Sequence, residues 1–376
     1  MDYRKIDDFV LQLVEESTPE RTVWNIEKVR EGKKASWNHI DGCMLTALME
    51  MSSITGEERY SQFVKECVDY FVSEDGQIRT FKPETYNLDD INEGRVLFEL
   101  YSRTGKEKYR MAAQRLREQL AKQPRTEDGN FWHKAIYPNQ VWLDGIYMAQ
   151  PFYALYQKHF GNNDFSDTVG QIKNVRAKMF SEEKGLYFHG YDASKTAFWA
   201  DPESGCSKNF WLRSLGWFAV ALVDVIDIVP EGQDRTDLTA IFSELMASVD
   251  RCSDSETGLY WQVPDQGGRE GNYLETSGSA MMAYAMLKGA RLGCLDKEYA
   301  AKGRKTFNGI VEKYLTFTES GLDLGGICLV AGLGPETNKR RDGSYEYYIS
   351  EPVVHNDAKG VAPFVLAYTE IKRLKA

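Results

Sequence analysis

The pattern of apolar and polar positions along this chain is helical, and it repeats. Apolar residues recur three and four positions apart in two pairs of segments, 44–53 with 60–72 and 96–102 with 109–120. In each pair a glycine, Gly56 or Gly105, follows the first segment, which is where a left-handed residue commonly ends a helix. The two glycines lie about 50 residues apart, a spacing typical of repeat architectures. The pattern therefore predicts a repeating helical hairpin.

A second glycine signal alternates with the helices. An acidic residue, then a glycine within two positions, then extended residues occur five times, around Gly76, Gly129, Gly185, Gly258 and Gly321. Looser copies of the hairpin turn lie at 160–165 and 292–299, and further helices are predicted at 3–16 and 361–373. Together these signals imply about six hairpins, which can close into a ring that leaves no exposed end. We therefore predict an all-α (α/α)6 barrel, a single catalytic domain over residues 1–376, with its long loops gathered on one face.

Composition narrows the class of protein. With 42% hydrophobic and 27% charged residues, the chain of 376 residues is typical of a globular protein with a large core. Its net charge of -10 argues against nucleic acid or an anionic membrane as a partner. The start of the chain has no apolar signal region, no run reaches the roughly 18 apolar residues of a membrane span, and six scattered cysteines suggest reduced thiols. We expect a cytoplasmic protein.

Candidate chemistry centres on Asp144, which lies among aromatic residues at a predicted junction between loop and helix. Apolar surface from Trp132 and Trp142 would raise the pKa of its carboxyl group, as a general acid working near neutrality requires. The alternative is that Asp144 only caps its helix. A helix N-terminus would also lower the pKa, so desolvation or a second carboxylate would have to outweigh the helix dipole.

Asp89 occupies the equivalent place in the preceding hairpin. Two inner helices that open onto one face would bring Asp89 and Asp144 to the same pocket, where like charges push the two pKa values apart. The alternative is that Asp89 or its neighbour Asp90 only caps a helix. The sequence leaves open which of the two acids, Asp89 or Asp144, carries a proton at rest.

The later loops offer further candidates. His189 lies on the third long loop, although a lone histidine is often structural. Arg213 and Trp217 are four positions apart on one helix face, where a guanidinium beside an indole suits a sugar that bears a carboxylate. Alternatively, Arg213 pairs with an internal aspartate. The small residues 276–279 indicate close helix packing rather than a serine nucleophile, and no motif implies a cofactor or metal.

Several segments in the same order resemble the unsaturated rhamnogalacturonyl hydrolases of glycoside hydrolase family 105, and more distantly the unsaturated glucuronyl hydrolases. They are residues 37–42, 87–95, 142–149, 188–192, 210–213, 216–217, 275–281 and 359–364. The chain departs from many family members at Ser214 and Leu215, where a glycine and an asparagine are usual, and at His39, near where an aromatic residue often lies.

The resemblance implies an (α/α)6 barrel that acts on oligosaccharides whose non-reducing uronic acid carries a C4=C5 double bond. It implies that Asp144 protonates C4, that water then adds at C5, and that the hemiketal so formed opens and releases the glycosidic bond. Asp89 matches the second acidic position. Matches to substrate-binding positions are His189, Arg213 and Trp217, with His133, Lys134, His39, Trp142 and Trp211 as further candidates.

The function predicted from sequence is thus removal of an unsaturated galacturonyl residue from rhamnogalacturonan fragments, with a small oligosaccharide as substrate and neither nucleic acid nor membrane as a partner. Two alternative enzymatic functions remain for this chain: an unsaturated glucuronyl hydrolase acting on glycosaminoglycan fragments, and an (α/α)6 sugar epimerase. A different class is a helical-repeat binding scaffold, which would expose a concave groove rather than gather Asp, His, Arg and Trp at its loop ends.

Overall fold

The structure, a computed structural model, describes residues 3–318 and 321–374, and within them the chain forms a ring of inner helices surrounded by outer helices. Helices are numbered in chain order. The inner helices are α3 (His39–Thr55), α5 with α6 (Asp89–Asn92 and Val96–Thr104), α8 (Leu143–His159), α10 (Leu212–Ile228), α12 (Thr276–Leu292) and α15 (Ala358–Arg373). The outer helices are α1 (Arg4–Glu15), α4 (Glu58–Phe71), α7 (Glu107–Lys122), α9 (Ser166–Met179), α11 (Gln233–Asp250) and α13 (Glu298–Tyr314). Two short helices, α2 (Ile26–Glu31) and α14 (Tyr345–Ser350), lie in loops.

Sequence pattern explains which helices are inner. In α10 every residue from 212 to 226 is buried, because apolar residues cover all its sides, whereas the outer helix α4 buries one face only. The ring closes where α15 packs against both α12 and α3. Helices α15 and α1 form the sixth hairpin, since the Tyr368 hydroxyl donates to the carbonyl of Tyr3 at 3.0 Å and Lys372 pairs with Asp7 at 2.9 Å. The predicted (α/α)6 barrel is confirmed.

The turn glycines adopt the predicted conformation. Gly56 and Gly105 are left-handed C-caps of α3 and α6, with φ of +72° and +65°. All five loop glycines, from Gly76 to Gly321, also have positive φ. Each loop folds back in a small antiparallel turn, formed by the bridges Val72–Ile78, Arg125–Phe131 and Ser253–Tyr260 and by the strand pairs β2 (Phe180–Ser181) with β3 (Leu186–Tyr187) and β5 (Leu315–Thr318) with β6 (Gly321–Leu324). Glu319 and Ser320 of the fifth loop lie outside the described residues.

A circle of main-chain hydrogen bonds joins the loops at one face of the barrel. The N–H groups at the start of an inner helix have no partner within that helix, and here one of them donates to a carbonyl in the next loop. The five bonds are Leu88 to His133, Leu143 to His189, Leu212 to Gln262, Thr276 to Gly326 and Ala358 to Trp24, at 2.9–3.2 Å. At the sixth position the N–H of Asn38 donates to the Glu93 carboxylate at 2.6 Å. These bonds fix the loop face as a single surface.

Two 3-10 turns (Pro83–Thr85 and Pro264–Gln266) and two more strand pairs complete the loops, and a further 3-10 turn (Glu93–Arg95) joins α5 to α6. Strand β1 (Gln140–Trp142) pairs with β4 (Gly190–Asp192), and β7 (Ile327–Cys328) pairs with β8 (Val353–Val354), both antiparallel. In the parts of the chain described, no helix is both long and apolar enough to traverse a lipid bilayer.

Candidate active site

Strand pairing in two neighbouring loops brings Asp144 and His189 together. Trp142 at the end of β1 lies opposite Gly190 at the start of β4, and the N–H of Leu143 donates to the carbonyl of His189 at 3.1 Å. His189 therefore lies beside the first turn of α8. Its Nε2 atom is 3.1 Å from Oδ2 of Asp144, and its side chain is fully buried. The structure thus joins two residues that the sequence had offered separately.

Asp144 is not a helix cap. The N-cap of α8 is Trp142, which forms no side-chain capping bond, and Asp144 lies one residue inside the helix. Its Oδ2 atom and the Nε2 atom of His189 are both buried, and neither has an aligned hydrogen-bond partner among the described residues. Each atom therefore has the other as its close polar neighbour, which leaves the carboxylate available for chemistry rather than committed to the helix end.

Asp89, the first residue of α5, lies in a cluster of basic groups. Its carboxylate is 2.6 Å from Nζ of Lys134, 3.6 Å from Nε2 of His133 and 3.8 Å from Nδ1 of His39. Burial alone would raise the pKa of Asp89, but attraction to Lys134, followed by His39 and His133, outweighs burial and holds that pKa well below its usual range. Asp89 is therefore ionised at rest, a point that the sequence left open.

The histidines near Asp89 are neutral at pH 7. Burial lowers the pKa of His133 to about 4, and it also lowers the pKa of His39 below its usual value. The charge that stabilises ionised Asp89 at neutral pH therefore belongs to Lys134, whose own pKa is raised by Asp89 despite its burial. The charges of both Asp89 and Asp144 act on His133, which lies 3.6 Å from Asp89.

Three of the candidate tryptophans each have an aromatic ring stacked on one face. Trp142 stacks on His133 with ring centroids 4.4 Å apart. Trp211 stacks on Tyr348 at 5.9 Å and Trp217 stacks on Tyr147 at 4.5 Å. All three indoles are buried, so much of their area packs the walls of the site and holds its polar side chains in place.

The predicted pairing of Arg213 with Trp217 is wrong. The indole near the Arg213 guanidinium belongs to Trp211, 5.0 Å away, because Trp211 precedes α10 in extended backbone whereas Trp217 lies more than one turn further into the barrel. The alternative, an internal aspartate, is not a direct partner, because Nη1 of Arg213 donates to Oγ of Ser277 at 3.2 Å and to the carbonyl of Cys328 at 2.5 Å, while Asp357 acts on it only through its charge. Within residues 3–318 and 321–374, no carboxylate lies within ion-pair distance of this buried guanidinium.

Residues 276–279 are structural, as predicted. A side chain at Gly278 would place its Cβ 2.3 Å from Cγ of Leu212, so this glycine allows α12 to approach α10 closely. The Ser277 hydroxyl donates to Glu275 at 2.6 Å, and the Ser279 hydroxyl accepts from the N–H of Tyr260 at 3.0 Å. Both hydroxyls are therefore engaged in holding the helix start rather than in attack on a substrate.

Sequence reasoning missed two residues of the site. Tyr348, on α14, contacts the far side of the His189 ring through its hydroxyl, 2.7 Å from Nδ1. Its only signal in the sequence is the tyrosine cluster 345–348, which has no counterpart in the other repeats. Asp90, considered only as a cap, has its pKa raised to about 7, first by burial and then by the charge of Asp89. Such a shift depends on burial, which the sequence does not specify.

Acids, histidines, a buried arginine and stacked tryptophans at the loop face of an (α/α)6 barrel define a carbohydrate-cleaving enzyme of the six-hairpin type. The comparisons agree. Residues 13–375 match the model of Glycosyl Hydrolase Family 88. A glycoside hydrolase of family 105 from C. acetobutylicum ATCC 824 is 40% identical in sequence, with a TM-score of 0.88 over 92% of this chain and 97% of that one. The chain belongs to the family 88 and family 105 glycoside hydrolases, and it is not a non-enzymatic binding scaffold.

Two more distant proteins have informative names. An unsaturated 3S-rhamnoglycuronyl hydrolase from Formosa agariphila is 23% identical over 181 residues, which is 46% of this chain and 46% of that protein. An unsaturated glucuronyl hydrolase from Bacillus sp. GL1, described as responsible for degradation of glycosaminoglycan, has a TM-score of 0.71 at 13% identity over 99% of this chain and 97% of that one. At this identity the second similarity concerns the fold alone.

Proposed function

We propose that this glycoside hydrolase removes the unsaturated galacturonyl residue from the non-reducing end of rhamnogalacturonan-derived oligosaccharides. The observation that carries the proposal is the buried Arg213 guanidinium, whose direct partners are neutral. Glu275 and Asp357 attract Arg213 through their charge but neither forms an ion pair with it, so the carboxylate of a uronic acid would be the first anion in direct contact with this guanidinium. Arg213 and His189 both lie against the ring of Trp211, at 5.0 and 4.8 Å, so a carboxylate held by Arg213 would bring the sugar beside Asp144.

In the proposed reaction Asp144 donates its proton to C4 of the C4=C5 double bond, and the positive charge that develops at C5 is shared with the ring oxygen. Water then forms a bond to C5 while the Asp144 carboxylate accepts a proton from that water. The product is a hemiketal, which opens and breaks the glycosidic bond to the leaving sugar. Because the bond to the anomeric carbon is not displaced directly, the carboxylate spacing of retaining and inverting enzymes does not govern this reaction.

In the same proposal, Asp89 and the groups around it bind the sugar. An ionised Asp89 accepts hydrogen bonds from ring hydroxyls, and Lys134 and His39 add donors at the same edge of the site. Trp142, Trp211 and Trp217 form apolar walls that exclude water from the double bond, with His133 packed between Trp142 and Asp89.

A second candidate is an unsaturated glucuronyl hydrolase. It is favoured by the name of the Formosa agariphila relative, an unsaturated 3S-rhamnoglycuronyl hydrolase, and the two candidates share the reaction but not the leaving sugar. Incubation with an unsaturated galacturonyl-rhamnose disaccharide and with an unsaturated glucuronyl disaccharide, each followed by loss of the ultraviolet absorbance of the double bond, separates them. Turnover of neither, together with action on saturated monosaccharides, would indicate an epimerase instead.

We place the reaction in the cytoplasm, at the stage of pectin degradation where small unsaturated oligosaccharides have already been formed. In support, all six cysteines are free thiols, and five of them are buried. A chain without disulfides suits a reducing compartment. Fractionation of the native host would test this placement.

Replacement of the proposed acid tests the mechanism. Asp144→Asn keeps the size of the side chain but removes the transferable proton, so kcat should fall by at least about 100-fold while the disaccharide still binds. Calorimetric titration measures the binding, and ultraviolet absorbance measures the turnover. Asp167→Asn is the matched control, because Asp167 also lies in the first turn of a helix but pairs with Arg125 on the outside of the barrel. Near-normal turnover by Asp144→Asn would show that Asp144 is not the general acid.

A further inference from the structure

A tyrosine from the last long loop of the barrel contacts His189 on the side of the ring opposite to Asp144. Tyr348 lies on α14, between β7 and β8, and its hydroxyl is 2.7 Å from Nδ1 of His189, a residue 159 positions earlier in the chain. Its side chain is completely buried, and its ring lies nearly parallel to that of Trp211, with 7° between the planes. Gln262 anchors the backbone of Tyr348 by donating to its carbonyl at 3.0 Å. The hydroxyl is therefore held in one place.

The hydrogen-bond chemistry of this contact decides which nitrogen of His189 carries hydrogen. Burial raises the pKa of Tyr348, so its phenol keeps its proton and can donate. A neutral imidazole has one donor and one acceptor nitrogen. When the phenol donates to Nδ1, the hydrogen of the imidazole resides on Nε2, which is the atom 3.1 Å from Oδ2 of Asp144.

Each ring nitrogen of His189 has one close polar neighbour. Asp144 from α8 lies 3.1 Å from its Nε2 atom, the Tyr348 hydroxyl from α14 lies 2.7 Å from its Nδ1 atom, and the indoles of Trp142 and Trp211 contact its ring. His133, from the loop before α8, interacts with it electrostatically. His133 is neutral at pH 7 because burial lowers its pKa to about 4. Tyr348 is thus the hydrogen-bonding neighbour on the Nδ1 side, and Asp144 is the polar neighbour on the Nε2 side.

We propose that Tyr348 is a positioning residue that fixes His189 as the tautomer with hydrogen on Nε2, the ring nitrogen that lies beside Asp144. The inference rests on the function proposed above. In that reaction Asp144 becomes a carboxylate when it gives its proton to C4. The Nε2–H group lies 3.1 Å from Oδ2 but is not aligned with it at rest, and it comes into alignment to donate to this carboxylate. The other tautomer would present a lone pair to the new negative charge. Tyr348 itself does not contact the substrate.

The tautomer can be tested without any substrate. The chain has five histidines, so protein labelled with 15N-histidine gives a tractable ring-nitrogen spectrum, and His189→Gln identifies the signal of interest by its loss. We expect wild-type His189 to be protonated on Nε2 and bare on Nδ1. In Tyr348→Phe, which keeps the ring on Trp211 but lacks the hydroxyl, we expect the two tautomers to mix. A proton on Nδ1 in the wild type, or an unchanged spectrum in the variant, overturns the proposal.

Kinetics on the unsaturated disaccharide provide the second readout. Tyr348→Phe should lower kcat by about tenfold, the effect of one hydrogen bond, while leaving KM nearly unchanged. Tyr347→Phe is the matched control: it removes the neighbouring buried hydroxyl of α14, which accepts from the N–H of Gly332 at 3.0 Å and does not contact His189. Equal effects of the two variants on kcat would show a structural role and overturn the proposal.

The two proposals fail in different ways. If the wild-type protein leaves both unsaturated disaccharides intact, the proposed function is wrong, while the nitrogen spectrum still decides whether Tyr348 sets the tautomer. If the wild type is active but Tyr348→Phe retains both the tautomer and the turnover, the function stands and the role of Tyr348 is wrong.

Discussion

The two acids of the site differ at the level of single contacts. Asp89 and Asp144 occupy equivalent places in successive hairpins, yet Asp89 has Lys134 at 2.6 Å and Asp144 has His189 at 3.1 Å. A lysine keeps its neighbour ionised, whereas the imidazole of His189 presents a ring nitrogen that can form a hydrogen bond with the carboxyl group. The repeat therefore predicts the positions of the acids, and the partner supplied by the next loop determines what each acid can do.

His133 should make the stability of the protein depend on pH. Its pKa is about 4 in the folded protein and roughly 6.5 in an unfolded chain, so between these values the unfolded chain binds a proton that the folded protein does not. The free energy of unfolding should therefore fall as pH decreases from about 6.5 to 4, by up to about 3 kcal/mol from this residue. His133→Gln should flatten that dependence, as measured by urea unfolding across the range.

An exposed histidine provides the comparison. His355, whose side chain is 60% exposed, can be replaced in the same way, and His355→Gln should leave the pH dependence as in the wild type. The slope will not vanish in His133→Gln, because burial also lowers the pKa of His39. If the two variants had the same pH dependence, the protonation of buried His133 would not contribute to stability as inferred.

At the scale of elements, local sequence predicted the hairpins because their signals are local. Gly56 and Gly105 end α3 and α6 through a left-handed backbone that glycine adopts without strain. The helix boundaries differ from the prediction mainly by extension: α3 begins at His39 rather than near Met44, because the Asn38 side chain caps it by accepting from the N–H groups of Ile40 and Asp41. The cap, not the apolar pattern, fixes the start.

The contact between α10 and α12 depends on the absence of a side chain at Gly278. Gly278→Ala would press a methyl group against Leu212, 2.3 Å away, and should destabilise the protein by about 1–3 kcal/mol even though alanine favours helix. Gly170→Ala in the outer helix α9, where nothing lies within 4 Å, should stabilise it by roughly 0.5–1 kcal/mol. Thermal unfolding of both variants measures the difference, and a stable Gly278→Ala would show that the helices can separate at little cost.

At the scale of the whole molecule, a charged network joins helices that are distant in sequence. The carboxylate of Asp224 accepts from Arg95 at 2.7 Å, from Lys288 at 2.9 Å and from Tyr284 at 2.8 Å. Burial would raise the pKa of Asp224, but Lys288 and Arg95 outweigh burial and lower it to about 2. The network links the second, fourth and fifth inner helices away from the loop face.

Breaking this network should affect the entire barrel. Asp224→Asn leaves two buried cations with less compensating charge and should reduce the free energy of unfolding by about 3–5 kcal/mol. Asp227→Asn is the control, because Asp227 contacts the same Lys288 at 3.0 Å but its side chain is 41% exposed; it should cost no more than about 1 kcal/mol. Equal losses in urea unfolding would indicate that the burial of Asp224 adds nothing.

The sequence by itself determined the repeat, the ring of hairpins and the set of candidate residues. Helix periodicity, turn glycines and the positions of the acids depend on residues that are close together in the chain, so they can be read from local sequence. Only the tertiary structure decided which of those residues meet. It placed His189 on Asp144 through β1 and β4, moved Arg213 from Trp217 to Trp211, and brought Tyr348 to His189. These contacts join different loops, and their geometry follows from the closure of the ring, which no local pattern specifies.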